Sequence, residues 1–130
     1  MKILIVDDDS TSRLLLQGIL KKYCTSDIAV NGREAVAAVE TALAASEPYN
    51  LICMDILMPE MNGSEAVYKI RQIEQLRNIP KETRVKIMMV TTKADKDTII
   101  SCIKLGADDY IVKPFDGEKI LQKIKKYINI

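Results

Sequence analysis

Five short apolar runs alternate along the chain with longer segments in which apolar residues recur at helical spacing. The runs cover residues 3–6, 28–30, 51–54, 85–90 and 110–112. Several are almost wholly apolar rather than alternating, which is typical of strands covered on both faces. Five strand–helix repeats predict a parallel sheet with right-handed crossovers and helices on both sides.

Capping residues and apolar stripes place the five helices between and after these runs. In the first helix, the residues expected to face the core are Leu14, Leu15, Ile19 and Leu20. Asn31, Asn62 and Asp116 are predicted to cap the second, third and fifth helices. The fourth helix is indicated by Ile99, Ile100, Ile103 and Leu105, before Gly106. In the fifth, Ile120, Leu121, Ile124, Tyr127 and Ile128 are expected to face inward, with Lys119, Lys123, Lys125 and Lys126 in water.

Composition narrows the class of protein. The 130 residues predict a single domain, 1–130, with a net charge of +1 that favours neither nucleic acid nor anionic membranes as partners. No apolar run approaches the roughly 20 residues of a membrane span, and no signal-peptide pattern follows Met1, so a cytoplasmic location is expected. The absence of histidine excludes histidine-based catalysis and metal binding within this sequence. Three cysteines without a C-x-x-C pair argue against a disulfide framework and predict small, buried or half-buried hydrophobic residues.

Polar residues follow four of the strands at the point where each strand ends. Acidic residues occupy positions 7–9 and 55, hydroxyl residues occupy 91 and 92, and Lys113 follows the last strand. In parallel sheets, ligands bind beyond the carboxyl ends of the strands, so we expect these side chains to converge. Crowded carboxylates need a cation, and a site made only of oxygen ligands suits Mg²⁺.

The same residues form a complete set for phosphoryl transfer. Asp55 is a possible acceptor that would form an aspartyl phosphate. Lys113 would pair with Asp55 at rest and with a phosphoryl oxygen after transfer, and the hydroxyl of Thr91 would donate to another such oxygen. Mg²⁺ and Lys113 would neutralise the charge that develops during transfer.

Four motifs resemble the signature of response-regulator receiver domains of two-component signalling, and in particular the stand-alone, chemotaxis-regulator-like members. They are V-D-D at 6–8, M-D-I-L-M-P-E-M-N-G at 54–63, V-T-T at 90–92 and K-P-F at 113–115. The similarity extends over about residues 2–128, and the second motif is highly specific. It implies a flavodoxin-like (βα)5 three-layer α/β sandwich with parallel strand order 2-1-3-4-5.

The resemblance implies a role for each matching acidic residue. Asp55 would receive the phosphoryl group from a histidine kinase or a histidine phosphotransfer protein. Asp8, Asp55 and the main-chain carbonyl of Leu57 would bind Mg²⁺, and Asp7 would act on the metal directly or through water. Asp9 matches no functional position and is interpreted as a turn or helix-start residue.

The resemblance also implies a switch and an output surface. Lys113 and Thr91 would bind the phosphoryl group, Tyr110 would turn inward as Thr91 moves, and the Lys113–Pro114 peptide would be cis. The output would be a contact between an unknown downstream protein and the face of the fourth helix, fifth strand and fifth helix. Expected residues of that face are Ile99, Lys104, Asp108, Ile111, Lys119 and Lys123.

Three departures from the usual family pattern modify these expectations. Leu57 is apolar where many members carry a polar residue, so its side chain cannot orient a hydrolytic water. Thr92 is larger than the usual residue and Lys93 could screen the phosphoryl group, so slow-to-moderate autodephosphorylation is expected. Residues 71–84 are longer than in minimal members and form either a solvated extension of the third helix or a partner contact.

Several alternatives stay open at this point. A flavin carrier of the same fold would need a neutral, glycine-rich loop where residues 7–9 are acidic. A haloacid-dehalogenase-like phosphatase would need a second aspartate at position 57, where this sequence has leucine. Independent substrate turnover by this protein is not expected. A degenerate receiver that serves only as a docking module is the third alternative. The position of Met1 favours a stand-alone protein, expected to be a monomer or weak dimer.

Overall fold

The computed structural model describes residues 1–92 and 96–130 and contains one sheet of five parallel strands in the order β2-β1-β3-β4-β5. The strands are β1 (Lys2–Val6), β2 (Thr25–Ala29), β3 (Leu51–Met54), β4 (Lys86–Thr91) and β5 (Asp109–Val112). The helices are α1 (Ser10–Leu20), α2 (Gly32–Ala44), α3 (Gly63–Leu76), α4 (Lys96–Leu105) and α5 (Gly117–Lys125), with a short 3-10 helix at Lys81–Thr83. The predicted flavodoxin-like class and strand order are confirmed.

The central strands carry apolar side chains to both faces of the sheet, which creates two cores. Leu4, Ile52 and Met89 point into one core, together with buried residues of α2, α3 and α4. Ile3 and Cys53 point into the other, against α1 and α5. Alternate side chains of a strand project to opposite faces, so nearly continuous apolar runs are what a three-layer fold requires.

Side chains at the helix starts satisfy free backbone N–H groups. Asp9, Asn31, Asn62 and Asp116 each accept a hydrogen bond from a backbone amide of the helix that follows. Such caps contribute about 1 kcal/mol each. At the other end of α4, Gly106 has a φ of +124°, a conformation that residues with a Cβ rarely adopt. None of the helices within the described ranges is long and apolar enough to span a bilayer.

The predicted inner face of α1 needs correction, and the structure defines the buried side of α4, which the apolar spacing indicated without assigning. Leu14 and Leu15 are exposed, and Leu16 and Leu20 are the buried residues of α1. In α4 the buried residue is Cys102, whereas Ile100, Ile103 and Leu105 are exposed. The three consecutive leucines at 14–16 span more than one helix face, so spacing alone did not fix the phase of α1.

Two residues expected on the outer face of β5 and α5 also differ from the prediction. Ile111 is buried in the core formed with α1 and α5, so it does not belong to an exposed face. Lys123 was expected in water but is half-buried. Its Nζ donates to the Tyr110 carbonyl (2.6 Å) and to Asp109 Oδ1 (3.2 Å).

Arg71 ties α3 to three other segments at the amino ends of the strands. Its guanidinium donates to Glu74 Oε1 (2.7 Å), to the Val85 carbonyl (2.8 Å), to the Gly106 carbonyl (3.0 Å) and to Asp108 Oδ2 (3.0 Å). Glu74 is 2% exposed and also accepts from the Val85 amide (2.8 Å). Within segment 71–84, Arg71 and Glu74 are therefore packed against the protein. Most of the other residues of the segment are exposed, as expected for a solvated extension of the third helix.

We predict that Arg71→Met lowers the free energy of unfolding by about 3 kcal/mol, because it leaves the buried Glu74 carboxylate without its cation. Urea denaturation would measure the loss, with Arg77→Met as the matched control on an exposed residue of the same segment. Equal stability losses in the two variants would contradict this account of Arg71.

Candidate functional site

Three carboxylates meet at the carboxyl ends of β1 and β3. Asp7 and Asp8 follow β1 directly, and Asp55 follows β3. One oxygen from each lies within 4.8 Å of the other two. Asp7 is 2% exposed and Asp55 is 9% exposed, whereas Asp8 is open to solvent. The cluster therefore has two buried members and one accessible member.

Main-chain hydrogen bonds extend the sheet pairing into this cluster and fix its buried members. The Asp7 amide donates to the Ala29 carbonyl (3.1 Å), and the Asp55 amide donates to the Val6 carbonyl (2.9 Å). Asp55 Oδ1 then accepts from the Ile56 amide (2.8 Å). The two carboxylates are thus held by the rigid sheet rather than by mobile loops.

Gly63 allows α3 to begin directly against the Asp55 backbone. A Cβ at position 63 would lie 2.1 Å from the Asp55 carbonyl oxygen, which no side chain tolerates. The Gly63 amide also donates to the Ile56 carbonyl (2.8 Å), so the loop after Asp55 closes tightly. The glycine of the M-P-E-M-N-G string therefore serves this close approach.

Lys113 brings one positive charge into the cluster from the end of β5. Its Nζ donates to Asp7 Oδ2 (2.5 Å) and lies 3.4 Å from Asp55 Oδ2. Its amide donates to the Thr91 carbonyl (2.8 Å), and the following bond to Pro114 is cis, as predicted. We expected Lys113 to pair with Asp55 at rest, but its shorter bond is to Asp7.

The pKa values of the two partners reflect this crowding. Burial raises the pKa of the Asp55 carboxyl above its ordinary value, and the Asp7 carboxylate acts in the same direction against the opposing charge of Lys113. For Lys113, burial disfavours the ammonium form, but the bonds and charges of Asp7 and Asp55 outweigh burial and raise its pKa. Lys113 therefore stays charged, and Asp55 is the acid that crowding makes harder to ionise.

The charge balance fits a divalent cation. Three carboxylates and one ammonium leave two negative charges among these four side chains. All the candidate ligand atoms are oxygens, the donors that Mg²⁺ prefers, and Mg²⁺ is commonly held by one or two carboxylates with several waters. Asp8, Asp55 and Asp7 could hold such an ion, with the solvent-exposed side of Asp8 as the entry path.

The other residues predicted from the motifs lie around this cluster in different environments. Thr91 is fully buried at the end of β4, and Thr92 beside it is exposed. The Leu57 side chain is 59% exposed and belongs to neither core. Tyr110 is half-buried on β5, and Lys123 Nζ lies 4.8 Å from the centroid of its ring. Lys93, which was expected to screen the phosphoryl group, lies outside the described residues.

Arg13 is a site residue that the sequence reasoning missed. Its Nη1 donates to the Asp7 carbonyl (2.8 Å), and its amide donates to the Asp9 carbonyl (3.1 Å) in the first turn of α1. Arg13 therefore anchors the acidic loop to the helix that follows. Its position one turn after three aspartates was a signal that could have suggested this role.

Comparison with known proteins adds a consistent set of relatives. A family model for the response regulator receiver domain matches residues 3–125. The chemotaxis protein CheY of Bacillus subtilis (strain 168) is 36% identical over 133 residues, which cover 98% of this chain and 98% of that protein.

Two solved structures share the fold at 25% and 26% sequence identity. The CheX-CheY-BeF3-Mg²⁺ complex from Borrelia burgdorferi matches with a TM-score of 0.84 and 25% identity, over 97% of this chain and 87% of that chain. The co-crystal structure of the Saccharomyces cerevisiae histidine phosphotransfer protein Ypd1 with the receiver domain of Ssk1 matches with a TM-score of 0.83 and 26% identity, over 98% and 88%.

We predict that Asp55→Asn stabilises the fold more at about pH 7 than at about pH 4 in Mg²⁺-free buffer. A raised pKa means that native Asp55 holds its proton to higher pH than the unfolded chain does, so its contribution to stability falls as pH rises above 3.8. The neutral amide avoids that loss. Urea denaturation at both pH values would measure the difference.

Asp9→Asn is the matched control for this pH dependence. Asp9 is exposed, and its hydrogen bond with Ser12 lowers its pKa, so it lacks the raised pKa that drives the effect. An Asp55→Asn gain that is equal at the two pH values, or that is reproduced by Asp9→Asn, would contradict the assignment of a crowded Asp55 carboxylate.

Proposed function

Because the chain belongs to the response regulator receiver domain family of two-component signalling, we propose that it receives a phosphoryl group on Asp55 and passes the signal to a protein partner. The observation that carries this proposal is the convergence of Asp7, Asp8, Asp55 and Lys113 from three strand ends. Such a set combines an acceptor, a cation site and a fixed positive charge within one cluster.

We propose that Asp55 is the acceptor because, of the two buried carboxylates, it has the longer contact with Lys113, 3.4 Å against 2.5 Å for Asp7. A carboxylate oxygen of Asp55 forms the new O–P bond while the N–P bond of a donor phosphohistidine breaks, and the donor imidazole nitrogen takes a proton. Lys113 already lies 3.4 Å from Asp55 and would neutralise a phosphoryl oxygen. The sheet holds Asp55 in place for in-line attack.

Mg²⁺ is the proposed cofactor of this site. Asp8, Asp55 and the main-chain carbonyl of Leu57 would hold it, with Asp7 bound directly or through water. When bound, it would neutralise charge on the transferring oxygens. The matched Borrelia burgdorferi complex contains Mg²⁺ and BeF3, which supports the same chemistry here.

The switch is proposed to run from Thr91 to Tyr110. Thr91 is fully buried behind the cluster, and an inward pull on its hydroxyl by a phosphoryl oxygen would open space for the half-buried Tyr110 ring. Lys123 contacts that ring and the Tyr110 carbonyl, so inward rotation changes the exposed face of β5 and α5. Signalling would then be a population shift between two states.

The proposed partners are a phosphohistidine donor and a downstream protein. The donor is a histidine kinase or a histidine phosphotransfer protein, and the matched structure of Ypd1 with a receiver domain supports a donor of this kind. The downstream protein would contact the face of α4, β5 and α5. No independent substrate turnover is proposed, since phosphorylation and dephosphorylation take place on the chain itself.

The first test is intact-protein mass spectrometry after incubation with acetyl phosphate, with and without Mg²⁺. We expect a Mg²⁺-dependent gain of one phosphoryl group in the wild type and none in Asp55→Ala, because the acceptor oxygen is lost. Asp9→Asn should be phosphorylated like the wild type, since an asparagine also caps α1. No gain in a folded wild type, beside a working control receiver, would favour the docking-module alternative.

We predict that Leu57→Asn shortens the lifetime of the phosphorylated protein by roughly ten-fold, because an amide at this exposed position can orient a water toward the phosphoryl group. The rate of phosphoryl loss by mass spectrometry would measure it. Leu76→Asn makes the same change at an exposed position at the end of α3. An unchanged lifetime in Leu57→Asn would show that residue 57 does not limit hydrolysis.

A further inference from the structure

A pocket of about 110 Å³ that opens to solvent lies at the opposite end of the sheet from the acidic cluster. Its apolar wall comes from α2, from the loop before β3 and from the segment between α3 and β4. The residues of that wall are Val39, Leu43, Pro48, Tyr49, Ile79 and Val85. Because Tyr49 and Val85 precede β3 and β4, the cavity lies at the amino ends of these strands.

The lining has a closed floor and a solvent-facing mouth. Val39, Glu74 and Val85 are buried at 4%, 2% and 7% exposure and form the floor. Pro48 and Thr83 are exposed and lie where a small molecule would enter. The cavity is therefore reachable without unfolding of the layer that covers it.

Polar groups in the wall are already engaged with the protein. Glu74 accepts hydrogen bonds from Arg71 (2.7 Å) and from the Val85 amide (2.8 Å). The Thr83 hydroxyl donates to a main-chain carbonyl of its own turn (3.1 Å), and the Tyr49 hydroxyl donates to an aspartate of β2 (2.7 Å). A charged or strongly polar ligand would lose its water here and gain no equivalent partner.

The walls are held open by contacts outside the cavity. Lys2 Nζ lies 4.6 Å from the centroid of the Tyr49 ring on one side. On the other side, the Arg84 Nε donates to the Ile79 carbonyl (3.0 Å), and Glu74 is fixed by its two hydrogen bonds. An apolar occupant would make dispersion contacts with the apolar atoms of these walls.

We propose that this cavity is a binding site for a small uncharged apolar molecule, a ring or branched chain of about four to six carbon atoms. Apolar cavities of about 150 Å³ in proteins take up benzene or xenon, which sets the size class. The site shares no residue with the acidic cluster, so its test does not rest on the proposed phosphorylation.

Benzene is the probe for the test, followed by NMR of amide and methyl groups on the full chain. We expect saturable shifts confined to the cavity lining in the wild type, with a Kd on the order of 1 mM. Val39→Leu extends the side chain into the cavity and should weaken binding by roughly ten-fold. Val36→Leu makes the same change on α2 outside the lining and should bind like the wild type.

If Val39→Leu folds poorly, Leu43→Phe provides a second variant whose larger side chain fills the cavity. It should weaken benzene binding in the same way. Three outcomes would overturn the proposal: no saturable shift in a folded wild type, shifts spread through both cores, or equal binding by a folded filled variant. Acetate should produce no shifts in the lining, and acetate binding as tight as that of benzene would contradict the apolar character of the site.

Discussion

The site depends on the repulsion between two carboxylates that the sheet forces together. Asp7 and Asp55 follow adjacent strands and are both buried, so neither can move away from the other. Lys113 partly offsets their charge and remains bonded to Asp7. A cluster with this residual negative charge attracts an incoming cation. A bound cation, or the oxygens of a phosphoryl group, would change the charge balance at Lys113 and Asp55. The fold therefore holds repelling carboxylates close together, and a phosphorylation switch would act by changing that repulsion.

Much of the fold was predictable because its signals are local and repeated. Apolar runs gave the strands that pass through the middle of the sheet, and Asn31 and Asn62 gave two helix starts. β2 was placed poorly because Ile28 is exposed and the strand begins with polar residues at the sheet edge. The phase of α1 was wrong because Leu14 and Leu15 sit next to Leu16, and only packing distinguishes them.

The site was predictable at the level of which side chains converge, since strand ends in a parallel sheet share one edge. The details of the site that depend on interatomic distances were not predictable from the sequence. Lys113 bonds more closely to Asp7, and Arg13 anchors the acidic loop. Both contacts depend on where the folded backbone places these residues, which their spacing in the sequence does not reveal. The same holds for Arg71, whose partners at 74, 85, 106 and 108 are brought together only by the folded chain.

The position of β1 in the sheet has a consequence for synthesis of the protein. Of the five strands, β1 is synthesised first, yet it pairs with β2 on one side and with β3 on the other. Its apolar residues, from Ile3 to Val6, stay unprotected on one edge until Met54 has emerged. Until β3 has been synthesised, β1 therefore has an unpaired apolar edge, and such an edge is prone to aggregation.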